Sequence, residues 1–295
     1  MHKKIDVMIV GAQKAATTSL LRYLGEHPQC ISHPQKEFSY FTDAREFSEG
    51  WTTTLRKYFS HKPLFEGIKI VAKNASLYTN QKGLTKLKEN NPKCEIILLL
   101  RNPVERTYSS YLMEKNYGTV KFEFCELPDL IKKHENEDES WGFNFFINYG
   151  LYSEHLKNIY NYFPKEQVTI ILYRDLKKDA LKECQNIFNK IGIDPEFEPE
   201  VNVKHNVTRK TRSLIYARVI RRFLQNDNPI KKVIKQFIPG HKAYKYGDLL
   251  RDVNKTEEKH EGIGPEVRKF LVDFYRPYNE ELQAMIGKDL SDWNK

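Results

Sequence analysis

What this sequence lacks narrows its class before any motif is read. Its longest apolar run, Ile96 to Leu100, is far short of the roughly 20 residues a membrane span needs, and the start Met1-His2-Lys3-Lys4 leads into a polar-flanked strand rather than a secretory leader. A cytoplasmic protein is the expectation. Cysteine is scarce: Cys30, Cys94, Cys125 and Cys184 stand far apart, with no C-x-x-C pair and no histidine at zinc-finger spacing. Free buried thiols follow, with neither a disulfide framework nor a structural zinc. Asp, Glu and His do not recur at metal-ligand spacing, so no metal site is expected. No internal repeat is present, and the composition removes collagen-like, coiled-coil and low-complexity readings.

What is present suits a packed enzyme-sized chain. Its 295 residues, 40% apolar and 13% aromatic, are ample for a substantial core. Lysine and arginine exceed aspartate and glutamate by 48 to 39, a net charge of +9 that favours an anionic partner: nucleic acid, an acidic lipid surface or a polyphosphorylated small molecule. Short branched strands alternate with helical stretches in the first half. Strands are expected at Asp6 to Gly11, Ile68 to Lys73, Glu95 to Arg101 and Val168 to Tyr173, and helices at Thr17 to Glu26, Pro103 to Lys115, Tyr149 to Phe163 and Leu176 to Ile191. That order predicts an α/β fold with a central parallel sheet covered by helices on both faces. From about 204 to 260 basic residues crowd in between apolar ones, marking a basic helical insertion or lid within a single domain spanning 1–295. The stretch Pro265 to Ile286 then returns to a helical period that packs back on the sheet.

Two segments join a strand to a helix in a way that suits phosphate. After the first strand come Gly11, Ala12, Gln13, Lys14, Ala15, Ala16, Thr17, Thr18 and Ser19. Backbone amides of such a turn and the positive end of a helix surround an oxyanion, Lys14 adds a full charge, and Thr17 and Thr18 add hydroxyl donors. The alternative is plain architecture, Gly11 ending a strand and Thr17 capping a helix. A kinase-type G-x-x-x-x-G-K-[ST] loop is excluded, because Ala16 and Thr17 stand where it needs glycine and lysine. The second segment, Arg101-Asn-Pro-Val-Glu-Arg-Thr-Tyr-Ser109, offers a guanidinium and a hydroxyl for one more phosphate. Two such sites imply a bis-phosphorylated nucleotide. A strand-ending arginine is also commonly a surface residue or a structural ion pair.

These residues resemble the sulfotransferases that use 3′-phosphoadenosine 5′-phosphosulfate (PAPS), particularly the glycan-type branch related to heparan sulfate sulfotransferases. The loop Gly11 to Thr18 is similar to the family's 5′-phosphosulfate loop, and Arg101 with Ser109 to its 3′-phosphate motif. Lys36-Glu37-Phe38-Ser39-Tyr40-Phe41 resembles the segment whose glutamate is the family's catalytic base, and Lys73-Asn74-Ala75-Ser76-Leu77-Tyr78 its K-[ST]-x-x-x-Y strand end. Gly150-x-Tyr152 with His155, and the closing Gly287 to Trp293, are similar to bacterial members.

The resemblance implies a P-loop-like fold, PAPS as donor and adenosine 3′,5′-bisphosphate as product. It assigns Glu37 as general base, with His33 as the rival, Lys14 to the leaving-group charge and Lys73 to the sulfuryl oxygens. Lys36 and Tyr152 fall to the acceptor or nucleotide pocket, and Arg209 with Lys210 are the nearest match to the family's late nucleotide-covering loop. The implied partner is a glycan, lipid-linked sugar or other small-molecule acceptor, with the basic segment 218–245 a candidate for peripheral membrane contact. A P-loop nucleotide kinase and a basic nucleic-acid-binding protein are the alternatives. The first wants the missing G-K-[ST], and the second a recognisable DNA or RNA module, so no nucleic-acid partner is expected.

Overall fold

A computed structural model of the chain describes residues 3–134, 146–201 and 262–295, with isolated positions at 213, 215, 216, 219 and 256. Two compact units emerge. The first comprises Met1–Arg106, Tyr149–His205 and Tyr275–Lys295, the second Thr107–Asn148 and Asn206–Phe274. The expected late-loop residues Arg209 and Lys210 and the basic stretch 218–245, apart from Val219, lie outside the described residues.

The first unit is a five-stranded parallel sheet. Its strands are β1 (Val7–Gly11), β2 (Cys30–Ser32), β3 (Lys69–Lys73), β4 (Glu95–Leu100) and β5 (Val168–Leu172), in the order β2-β3-β1-β4-β5. Every residue of β1 is buried, as are the last five of β4, which is what a sheet covered on both faces demands of its central strands. The chain leaves β1 through α1 (Thr17–Glu26) toward the β2 edge, but leaves β3 through α4 (Gln81–Asn90) in the opposite direction, over β1 to β4. Right-handed crossovers running in opposite directions put their helices on opposite faces. Contacts agree: α1 lies against α9 (Ala180–Lys190), and α4 against α7 (Tyr152–Tyr162). The α/β architecture expected from the alternating pattern, with the P-loop-like sheet that the resemblance implies, is therefore the one observed.

The elements differ from the sequence reading in instructive places. β2 went unseen because three residues carry no period. The helix expected at Leu176 to Ile191 is two, α8 (Tyr173–Lys178) and α9, because Asp179 leaves the helical conformation, φ −151° and ψ 80°, and accepts with its carboxylate from the Lys182 N–H at 3.0 Å, capping the second. Two short helices, α2 (Ala44–Ser48) and α3 (Trp51–Phe59), fold the segment after Phe41 into an aromatic cluster in which Phe38, Phe41 and Trp51 meet edge-on or stacked. All four cysteines are free, but Cys125 is exposed rather than buried. Among the described residues no helix is long and apolar enough to cross a membrane.

The second unit takes the later part of α5 (Pro103–Asn116), α6 (Leu127–His134) and the first turns of α10 (Pro265–Ile286). Tyr111 collects the rings of Phe122, Phe124 and Phe146 around it, and Thr107 donates to the Phe146 carbonyl at 2.9 Å.

Candidate functional site

The turn after β1 has an unusual backbone. Lys14 and Ala16 both hold left-handed backbone, φ 73° and 67°, a conformation that costs a non-glycine residue of order 1 kcal/mol and recurs where successive N–H groups are turned to a common point. Ala16, not Thr17, is the N-cap of α1, and it offers no side-chain cap; the first turn also carries no acidic residue. The positive pole of the helix therefore meets no acidic side chain from its own first turn. Thr17 and Ser19 are buried, and Thr18 is half-buried beside Lys73.

Gly11 serves this turn by being small, not by a special φ. A Cβ there would fall 2.3 Å from Cδ1 of Tyr78, a fully buried ring whose hydroxyl donates to the Tyr149 carbonyl at 2.6 Å. Gly11→Ala is accordingly expected to destabilise the protein by about 1–3 kcal/mol through overpacking, read as a lower urea midpoint. An unchanged midpoint would mean that the Tyr78 ring is free to move.

Lys73 ends β3 next to this loop, because β3 pairs with β1 in the register Ile9 to Lys73. Both backbone polar groups of Lys73 are taken by the segment carrying Glu37: its N–H donates to His33 Nε2 at 3.0 Å, and its carbonyl accepts from the Phe38 N–H at 2.7 Å. That docking sets Glu37 beside the lysine side chain. The buried ammonium donates to Glu37 Oε1 at 2.8 Å and to Thr18 Oγ1 at 3.3 Å, while Glu37 Oε2 accepts from the Ala75 N–H at 2.8 Å. Burial lowers the Lys73 pKa, and the adjacent carboxylate partly offsets this. Lys36, next in sequence, is exposed.

His33 has both ring nitrogens committed. With Nε2 accepting from the Lys73 amide, Nδ1 must carry the proton and donate to the Gln35 carbonyl at 2.9 Å. Burial, with Lys73 nearby, lowers its pKa to about 3. The ring is neutral and has no lone pair left for an incoming proton, which favours Glu37 over His33 as a base. It also couples His33 to stability. Unfolded chains take up this proton as pH falls through 6.5 and the folded protein does not until about 3; the stability is present above pH 6.5 and declines below it, by up to about 1.4 kcal/mol per pH unit. In chemical melts between pH 7 and 4.5, His33→Gln is expected to flatten that decline. An equal slope in the two proteins would refute the assignment.

The second expected anion group sits at the end of β4. Asn102 caps α5, its side chain accepting from Val104 N–H at 2.9 Å, so here the helix end is closed by the protein itself and the guanidinium of Arg101 is what remains for a ligand. Arg101 Nη1 donates to the Lys14 carbonyl at 3.1 Å, joining the two strand-end segments. Its guanidinium carbon lies 5.1 Å from the ring centre of Tyr173. Tyr173 carries no motif in the sequence, yet register places it here: Leu100 pairs with Leu172, so the residues that follow them emerge side by side. Arg106 is fully buried 5.8 Å from the centre of the Tyr149 ring, and nothing in a surface-like Val-Glu-Arg-Thr string announces it. Ser109 is buried on the part of α5 that belongs to the second unit. Tyr152 is buried with its hydroxyl on the Arg101 carbonyl at 3.0 Å, holding the strand end rather than lining open space. Among the described residues no three His, Cys, Asp or Glu side chains are grouped as metal ligands.

A P-loop-like α/β sheet with a helix opening after β1, its first turn free of acidic residues, is an arrangement suited to an anion. Comparison with known proteins makes this specific: residues 4–235 match the Sulfotransferase domain family, and the chain belongs to it. It is a sulfotransferase, an enzyme of sulfuryl transfer. Over 287 residues it is 23% identical to human heparan sulfate glucosamine 3-O-sulfotransferase 6, covering 96% of this chain and 72% of that protein. It is 21% identical to the human bifunctional heparan sulfate N-deacetylase/N-sulfotransferase 3, across 97% of this chain and 30% of that one. A sulfotransferase structure from Alicyclobacillus acidocaldarius superposes with a TM-score of 0.68 at 19% identity, covering 99% of this chain and all of that one, and so shares the fold.

Proposed function

We propose that this sulfotransferase takes its sulfuryl group from PAPS and passes it to a hydroxyl or amine of a glycan, lipid-linked sugar or other small-molecule acceptor. The observation that carries the reading is the buried Lys73 ammonium, held at 2.8 Å from Glu37 and 3.3 Å from Thr18, which ties a carboxylate suited to take a proton to the loop suited to hold a phosphate. The donor would supply a sulfur bonded to a good leaving group; the protein's own task is alignment and charge. The acceptor oxygen forms a bond to sulfur as the bond from sulfur to the bridging phosphate oxygen breaks, and adenosine 3′,5′-bisphosphate leaves. Glu37 takes the proton that the acceptor loses. Lys14 and the first amides of α1 oppose the charge that grows on the leaving phosphate, and Lys73 steadies the sulfuryl oxygens. Arg101 and Ser109 recognise the 3′-phosphate, Lys36 meets the acceptor, and Arg209 with Lys210 cover the nucleotide.

One catalytic domain spanning 1–295, working in the cytoplasm with the 204–260 segment as a basic insertion or lid and its 218–245 stretch as peripheral membrane contact, completes the proposal. Support for glycan chemistry comes from the heparan sulfate enzymes among the relatives. The test is mass spectrometry of candidate acceptors incubated with PAPS, beside thermal shifts with adenosine 3′,5′-bisphosphate, ATP and an oligonucleotide. A gain of one sulfuryl group and a shift for the bisphosphate above the other two supports the reading. Stabilisation by ATP or oligonucleotide alone overturns it.

A further inference from the structure

The turn Ser291–Asn294 lies at the carboxyl ends of β4 and β5, where Asp292 and Trp293 share a pocket lining with Leu100, Arg101, Leu172 and Tyr173, and it reaches the residue proposed to read the 3′-phosphate through one intermediary. Trp293 is buried, 3% exposed, with its ring edge-on to Tyr152 at 6.1 Å between centres. Tyr152 in turn donates its hydroxyl to the Arg101 carbonyl at 3.0 Å. The turn itself is pinned at several points. Leu290 N–H donates to Gln283 Oε1 at 2.7 Å, the buried Asn279 donates to Asn294 Oδ1 at 2.9 Å, and Arg174, next to Tyr173, bonds both Asp292 and the Asp289 carbonyl. Arg174 and Asp292 are exposed enough that their pairing contributes little to stability by itself. Asp292 and Trp293 line, together with Arg101, Asn102 and Tyr173, a half-open pocket of about 160 Å³.

We infer that Trp293, acting through Tyr152, is a positioning residue for Arg101 and thereby sets how strongly the protein distinguishes a 3′-phosphorylated nucleotide from one without that group. The inference rests on Arg101 reading the 3′-phosphate. A guanidinium makes its two parallel bonds to phosphate only from a fixed origin. Arg101 begins where the β4 ladder has ended, so sheet hydrogen bonds no longer fix its carbonyl. The Tyr152 hydroxyl does, and the Tyr152 ring is held in turn by the indole. A rigid aromatic pair is suited to this, since each ring has two side-chain torsions and both are buried.

The test is calorimetry on the full chain with adenosine 3′,5′-bisphosphate and adenosine 5′-phosphate, taking the ratio of the two dissociation constants. Trp293→Ala is expected to cut the preference for the bisphosphate by about 10-fold, within the roughly 100-fold that a displacement near 1 Å is able to cost, while leaving 5′-phosphate affinity close to that of the parent. Trp293→Phe, which keeps a ring on Tyr152, should restore most of it. Tyr152→Phe removes only the hydroxyl on the Arg101 carbonyl and should reproduce the loss, which settles the matter if Trp293→Ala does not fold. Equal weakening of both nucleotides with a lowered Tm, or an unchanged ratio, overturns the inference and leaves Trp293 a packing residue. Arg101→Ala separates the two levels: if it abolishes the preference while Trp293 and Tyr152 variants do not, only the positioning role fails. If Arg101→Ala leaves the preference intact, the reading of Arg101 fails and the inference with it.

Discussion

Lys14→Ala is expected to lower the transfer rate by about 100-fold or more, some 3 kcal/mol of transition-state stabilisation, and to weaken nucleotide binding alongside. The change deletes the one full positive charge that the loop itself brings to the leaving-group phosphate. Its backbone consequence is small. Lys14 already sits at φ 73°, and an alanine holds nearly the same conformation at Ala16, φ 67°, two residues on. The Lys14 carbonyl, which accepts from Arg101, is a main-chain group and survives the substitution. Circular dichroism and Tm should therefore match the parent closely, and the loss should appear in kcat and kcat/KM together, as for an interaction made chiefly in the transition state. A well-folded Lys14→Ala protein with near-parental turnover would remove the phosphosulfate assignment from the 11–19 loop.

That loop was the most legible part of the chain, and for a physical reason. Glycine, lysine and hydroxyl residues in the few positions between a branched strand and a helix have local consequences, and α1 runs over the residues expected, Thr17–Glu26. What stayed unread was whatever depends on a distant partner. Gly11 looks like a phosphate-loop glycine, yet the ring of Tyr78, 67 residues along the chain by its number, is what forbids a side chain there. His33 and Glu37 were rivals on sequence because both stand before the same motif. Only the backbone of Lys73, occupying the histidine's acceptor nitrogen, separates them. Likewise Tyr152, which the resemblance put near a pocket, spends its hydroxyl on the main chain at the end of β4. Side-chain chemistry is written in the residue type, but its availability is fixed by tertiary neighbours.

Glu37→Gln is expected to reduce transfer to the acceptor by roughly 100- to 10,000-fold, the usual span for deleting a positioned general base, while adenosine 3′,5′-bisphosphate still binds. The substitution keeps the side chain's shape but removes its ability to accept a proton. It also alters an ion pair, which sets a second, separable effect. Lys73 is 1% exposed and Glu37 about one-third exposed by side chain, so neutralising the carboxylate leaves a buried ammonium with an amide in place of its counter-charge. Removing one partner of a fully buried pair costs about 3–5 kcal/mol; with this carboxylate partly in water a smaller loss, about 1–2 kcal/mol, is expected. Adding Lys73→Met should recover stability by removing the stranded charge, and should not recover activity, since neither the base nor the sulfuryl contact returns. Nucleotide affinity by calorimetry, Tm and transfer rate measured on Glu37→Gln, the double variant and His33→Gln make the pattern specific. Full turnover in Glu37→Gln together with an inactive but folded His33→Gln would move the base to His33 and overturn the role proposed for the carboxylate.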